Sequence, residues 1–88
     1  MPVLLVHGLG RTPLSLIALG GRLAEAGAAP SYFAYYAWAQ SHELILQRLT
    51  ARLALLAALD RPVALVGHSL GGLLLRQAIP GVPRLKVS

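Results

Sequence analysis

The stretch Pro62-Val63-Ala64-Leu65-Val66-Gly67-His68-Ser69-Leu70-Gly71-Gly72-Leu73-Leu74-Leu75 limits the possible folds of this chain more than any other. It reads as a short buried strand, a serine bracketed by glycines, and an apolar helix, with no residues left over for a loop. A serine on so sharp a turn is raised above the end of its sheet. Gly67 and Gly71, two residues to either side, remove side chains that would otherwise strike the neighbouring helix and strand. Leu70 opens the helix, so its N–H has no acceptor within the helix and is free to meet developing negative charge.

A second segment, Val3-Leu4-Leu5-Val6-His7-Gly8-Leu9-Gly10, is an apolar strand ending in His-Gly. Together the two segments resemble the α/β-hydrolase family, in particular its lipase- and esterase-like members with an HGLG turn and a GHSLGG nucleophile elbow. The resemblance covers nearly all 88 residues but only the N-terminal part of the family's domain. It implies an α/β fold: a partial α/β-hydrolase domain over residues 1–88, with three parallel strands and flanking helices, truncated before the remaining strands. It also implies that Ser69 is the nucleophile and that the backbone N–H groups of Leu9 and Leu70 form the oxyanion hole. The glycine-rich turn can also be placed in another register, which would make Leu9 an ordinary loop leucine. His7, Gly8, Gly67, His68 and Gly71 are implied as support for the turn and the elbow.

Activating a serine requires a base within hydrogen-bond reach, itself oriented by an acid. The family's order along the chain is Ser, then Asp or Glu, then His. Residues 70–88 contain no Asp, Glu or His, and Asp60 precedes the elbow strand, at the end of the sheet away from the serine. His68 adjoins Ser69 on the turn itself, and His42 falls in the first turn of a helix as a solvated residue. The 88-residue chain alone is therefore expected to be inactive. No pair of its histidines has metal-ligand spacing with a carboxylate, so no metal is expected, and no motif calls for a cofactor.

The chain is 56% hydrophobic and 12% charged, too apolar for a self-contained small domain. That composition suits the interior of a larger α/β domain, whose parallel strands are covered on both faces. The expectation is a fragment. Membrane insertion is a weaker explanation, because Gly, Pro, Ser, His or Arg interrupts every candidate stretch of about 20 residues. There is no basic leader or small-residue cleavage site, so a cytoplasmic chain is expected. The net charge of +5 comes from eight scattered Lys and Arg against three acids, with no stripe or module to suggest nucleic-acid binding. Arg11, after the glycine turn, reads as a solvated loop residue, with contact to a polar substrate group as the sharper alternative. The absence of cysteine excludes disulfides and thiol catalysis.

In chain order, Val3 to Val6 reads as a central strand. Thr12-Pro13 then caps a helix running to about Ala26, with Leu16, Leu19 and Leu23 facing the sheet and Gly27 as its stop. Gly20-Gly21 weakens that helix unless close packing offsets it. Ser31 to Ala37 reads as a second strand, with Phe33 and Tyr35 on one face and Tyr32, Ala34 and Tyr36 on the other. Ser41 caps the next helix, with Leu46, Leu49, Leu53 and Leu56 inward and Arg48 and Arg52 on the opposite side. The elbow helix runs from Leu70 to about Ile79, and Leu85-Lys86-Val87 begins a further strand. An unpaired apolar edge beside the elbow strand would invite self-association.

The leading functional expectation is a serine hydrolase acting on a small ester or lipid through an acyl-enzyme. Thioesterase, acyltransferase or peptidase chemistry would share the same motifs. Two other classes are open: a non-catalytic, partner-binding relative of the hydrolases, and a nucleotide-binding α/β domain. The last lacks the third glycine of a dinucleotide fingerprint, where Pro13 stands, and the ribose-binding acid.

Overall fold

A computed structural model describes residues 1–7, 14–36, 39–68 and 70–88, the side chains of 14–16 excepted. The apolar run at the start forms strand β1 (Pro2–Val6), followed by helix α1 (Leu14–Glu25), strand β2 (Ala29–Phe33) and helix α2 (His42–Ala57). Strand β3 (Ala64–Gly67), helix α3 (Leu70–Ala78) and one 3-10 turn, Ile79–Gly81, complete the described elements. The three strands are parallel, in the order β2-β1-β3. β1 is central and apolar throughout because both of its faces are covered: Leu4, Leu5 and Val6 are fully buried.

The covering layers follow from the order of crossing. From β1 the chain steps to one side to make β2, then back across β1 to make β3. Right-handed crossovers in opposite directions place their helices on opposite faces. One face accordingly packs Val3 and Leu5 with Leu23, Ala28, Tyr32, Ala64 and Val66. The other packs Leu4, Val6, Phe33 and Tyr35 against Ile45, Leu49 and Leu53 of α2 and Leu74, Leu75 and Ala78 of α3. The two faces are unequal: the α1 side is thin, the α2–α3 side thick.

Local signals explain the helix ends. Ser41 Oγ accepts the Leu44 N–H at 3.1 Å, and Glu43 stands in the first turn of α2. α1 stops at Gly27, whose φ of 93° is open to glycine. There Gly27 N–H donates to Ala24 O, and Ala28 N–H donates to Leu23 O at 2.9 Å, which satisfies two of the helix's last carbonyls. The C-terminal residues begin a fourth strand position: Val63 N–H donates to Lys86 O and Ser88 N–H to Val63 O, a parallel bridge between Val63 and Val87.

Several expectations need correction. β2 begins at Ala29 rather than Ser31 and ends at Phe33, because it pairs residue for residue with the five residues of β1. The sheet-facing side of α1 carries Gly20 and Leu23, while Leu19 is turned outward. A Cβ at Gly20 would run into the Tyr32 hydroxyl, the far end of a side chain that could swing aside, so α1 packs closely there without a backbone demand for glycine. Gly21 meets nothing within 4 Å. Arg48 and Arg52 border the sheet edge rather than standing free: the Arg48 guanidinium lies 5.4 Å from the Phe33 ring centre, and Arg52 Nη1 donates to Tyr32 O at 3.5 Å. The start of α1 expected at Thr12-Pro13, the side chain of Leu16, and Ala37 of the expected second strand lie outside the described residues. Among the described residues, no helix is long and apolar enough to cross a membrane.

Candidate active site

The site is built at the C-terminal ends of β1 and β3, where successive connections leave the sheet toward opposite faces. In open α/β sheets a crevice forms at such a point of reversal. The β1–β3 ladder runs to its end: His68 N–H donates to Val6 O at 3.1 Å, one residue before Ser69. Three residues later Gly71 N–H donates back to His68 O at 3.0 Å, so the chain turns at once from strand into helix. Leu70 is the first residue of α3 and half-buried, and its N–H belongs to the first turn, which has no intrahelical acceptor.

The two bracketing glycines are required by contact with backbone. A Cβ on Gly67 would sit 2.5 Å from Gly72 Cα and N and 2.8 Å from Gly71 C, inside the first turn of α3. A Cβ on Gly71 would collide with Val6 O and lie 2.7 Å from His7 O, at the end of β1. Neither obstacle is a flexible side chain that could swing away. Gly72 differs: its nearest atom would be Gly67 O at 3.6 Å, an ordinary contact. The ends of β3 and β1 and the first turn of α3 are thus in mutual contact.

His7 closes β1 and is 2% exposed. Its Nε2 accepts the Tyr35 N–H at 3.2 Å. The Tyr35 ring stacks on it, 4.2 Å between centres and 12° between planes. The Tyr35 hydroxyl donates to the His7 carbonyl at 2.8 Å. Burial raises the Tyr35 phenol above its ordinary pKa, which keeps it a protonated donor.

The structure therefore brings together His7, Gly67, His68, Leu70 and Gly71. Ser69, Gly8, Leu9 and Arg11 lie outside the described residues. His68 is exposed, and so is His42, whose Nε2 pairs with Gln77 Oε1 at 2.7 Å, tying α2 to α3. Asp60 precedes β3, at the opposite end from the elbow, and its carboxylate meets Lys86 Nζ at 2.8 Å. The hydrogen bond and charge of Lys86 hold its pKa below the usual value. A groove of about 940 Å³ lies at that same far end, lined by Ala54, Ala58, Asp60, Val82 and Lys86. Tyr35 is the residue that sequence reading missed. Its alternation with Phe33 marks it as inward-facing, but nothing local signals which acceptor its hydroxyl finds.

No family model matches this sequence, and no curated protein matches it.

Proposed function

We propose that this chain carries the nucleophile-bearing part of a serine hydrolase that acts on carboxylic esters. The observation that supports this reading most is the pair Gly67 and Gly71: each occupies a position where a Cβ would strike backbone, on a strand-to-helix turn at the sheet's C-terminal end. A turn with no such demand on its flanking residues would need neither glycine. In the proposed reaction Ser69 Oγ attacks the acyl carbon, and the oxyanion accepts the N–H groups of Leu70 and Leu9. The leaving alcohol departs with a proton, and water then releases the acyl group from Ser69. Two well-placed amides matter energetically, since losing one such donor typically costs about 3 kcal/mol of transition-state stabilisation.

Because residues 70–88 include no Asp, Glu or His, the test supplies the base from solution. The chain is treated with a fluorophosphonate in buffer with and without added imidazole, and the modified residue is found by peptide mass mapping. The expected result is phosphonylation at Ser69, faster with imidazole and absent in Ser69→Ala. Absence of adduct at Ser69 under both conditions, with the fold intact, would reject the proposal.

A second reading is favoured by one observation. β3 bonds β1 along one side, while on its other side the Val63–Val87 bridge accounts for Val63 alone. A partner-binding role through that edge, with another copy of this chain as the simplest partner, would use the remaining outward groups of β3.

A further inference from the structure

Helix α2 has two apolar flanks, and the core uses one of them. Ile45, Leu49 and Leu53 are buried there. On the flank beside β2, Leu44, Arg48, Ala51 and Leu55 recur at alternating intervals of four and three residues. That is the spacing at which one helix seats a second. Leu55 is 69% exposed and Leu44 42%, and Leu59 follows at 53% in the turn that ends the helix. A groove of about 420 Å³ runs along this flank, with Tyr32 and Phe33 on the sheet side and Arg48, Ala51, Arg52 and Leu55 on the helix side.

The charge on this flank is of one sign. Arg48 lies over the Phe33 ring and Arg52 donates to the Tyr32 carbonyl, so the sheet edge orients both guanidinium groups and neutralises neither. The chain has only three acids. Asp60 is paired with Lys86, Glu25 ends α1 on the other face of the sheet, and Glu43 lies about 140° round α2 from Arg48. An occupant must therefore bring apolar surface and negative charge together. A second copy of the chain fails that requirement, because joining the two flanks would set arginine against arginine. A bilayer is flat and would leave the groove unfilled, and a small anion would leave the leucines in water. We infer that this flank of α2 receives an amphipathic helix of a partner protein, with apolar residues on Leu44 and Leu55 and Asp or Glu on Arg48 and Arg52. Ala51, between them, lets the two backbones approach closely. Nothing in this depends on the chemistry proposed for Ser69.

The probe is a capped synthetic peptide of about 18 residues, long enough to hold a helix, built from Ala, Leu, Glu and Gln. Its Leu and Glu share one seam at the same three-four spacing, and a twin carries Lys for Glu. Each is titrated into the full chain while the backbone amide shifts are followed by NMR. The acidic probe is expected to shift the amides of residues 44–55 saturably, and the Lys twin to leave them in place. Exposed ion pairs are individually weak, so the double reversal Arg48→Glu/Arg52→Glu is expected to weaken the acidic probe about tenfold and to let the twin bind. Arg48→Gln/Arg52→Gln, gentler on the fold, should weaken the acidic probe less and gain nothing for the twin. Arg76→Glu/Arg84→Glu makes the same change in net charge on exposed residues outside the flank, and should bind as the wild type does.

Equal weakening by the Arg76/Arg84 variant would reduce the effect to net charge and overturn the inference. Shifts that both probes cause alike would do the same, as would none at α2 in a chain that circular dichroism shows folded. Vesicles of phosphatidylserine and phosphatidylcholine are pelleted with the chain in parallel. Retention abolished by Arg48→Glu/Arg52→Glu, without saturable peptide binding, would assign the flank to a bilayer. Self-association abolished by Leu55→Ser would assign it to a second copy.

Discussion

At the scale of single residues, the chain's glycines divide by what surrounds them, and the division predicts opposite signs for one chemical change. Gly71→Ala forces a methyl into the backbone of Val6, the last rung of the central strand, and of His7 just after it, which cannot yield without disturbing the ladder. Overpacking of this kind costs about 1–3 kcal/mol, and here it is expected at the upper end. Gly21→Ala places the same methyl in open space on a helix, where replacing glycine by alanine gains up to about 1 kcal/mol. Gly72→Ala, with only an ordinary contact to Gly67 O, should be close to neutral or favourable. Urea unfolding of the three variants tests the ordering. If Gly71→Ala were as stable as Gly72→Ala, α3 would have slack against β1 and the elbow argument would lose its steric basis.

At the scale of elements, the passage from α2 into β3 depends on Asp60. It adopts a φ of 53°, a left-handed conformation that Asp and Asn tolerate better than most residues, and it pairs with Lys86 beside the start of β3. Asp60→Asn keeps the backbone preference and removes the charge. The folded-state pKa of Asp60 is lowered, first by the hydrogen bond from Lys86 and then by its charge. Its contribution is therefore present above the ordinary Asp range of about 3.9 and is lost as pH falls through the lowered folded value. The variant should be the less stable of the two near neutral pH, and the gap should close in acid and shrink in high salt. Denaturation midpoints across pH test this, and a gap that persists in acid would assign the effect to the backbone instead. The elements themselves were largely legible: apolar runs gave three strands, and Ser41 and Gly27 marked helix ends by local chemistry. The aromatic run Tyr32–Tyr36 misplaced β2, because strand limits are set by the partner: Ala29 begins the strand since its N–H finds Met1 O. For the site, Gly67 and Gly71 were readable because a tight turn needs them locally. The Tyr35–His7 bond was not, because it joins residues 28 apart and no spacing rule links them.

At the scale of the whole molecule, the two edges of the sheet are handled differently, and the alternation of backbone groups shows how. Ala29 donates toward β1, so Ser31 and Phe33 also point inward and Pro30 and Tyr32 outward. On that outer edge Pro30 has no N–H to offer, and the Tyr32 carbonyl is met by Arg52, both ordinary ways of blunting an edge. On the far side of the sheet, His68 donates to Val6 and Val63 to Lys86, so Val66 points inward and Leu65 and Gly67 outward. The N–H groups of Leu65 and Gly67 therefore lie beyond the Val63–Val87 bridge along an unblunted edge. In dilute solution their amides should exchange with deuterium much faster than those of Val66 and His68, although all four belong to one short segment. If the edge pairs with a second copy of the chain, protection at Leu65 and Gly67 should rise with protein concentration while Val66 and His68 stay constant. Sedimentation velocity over the same range should show dimer appearing in step. Equal protection of all four amides at the lowest concentration would mean that the edge is already filled within one chain, and the partner-binding reading would have no surface left to use.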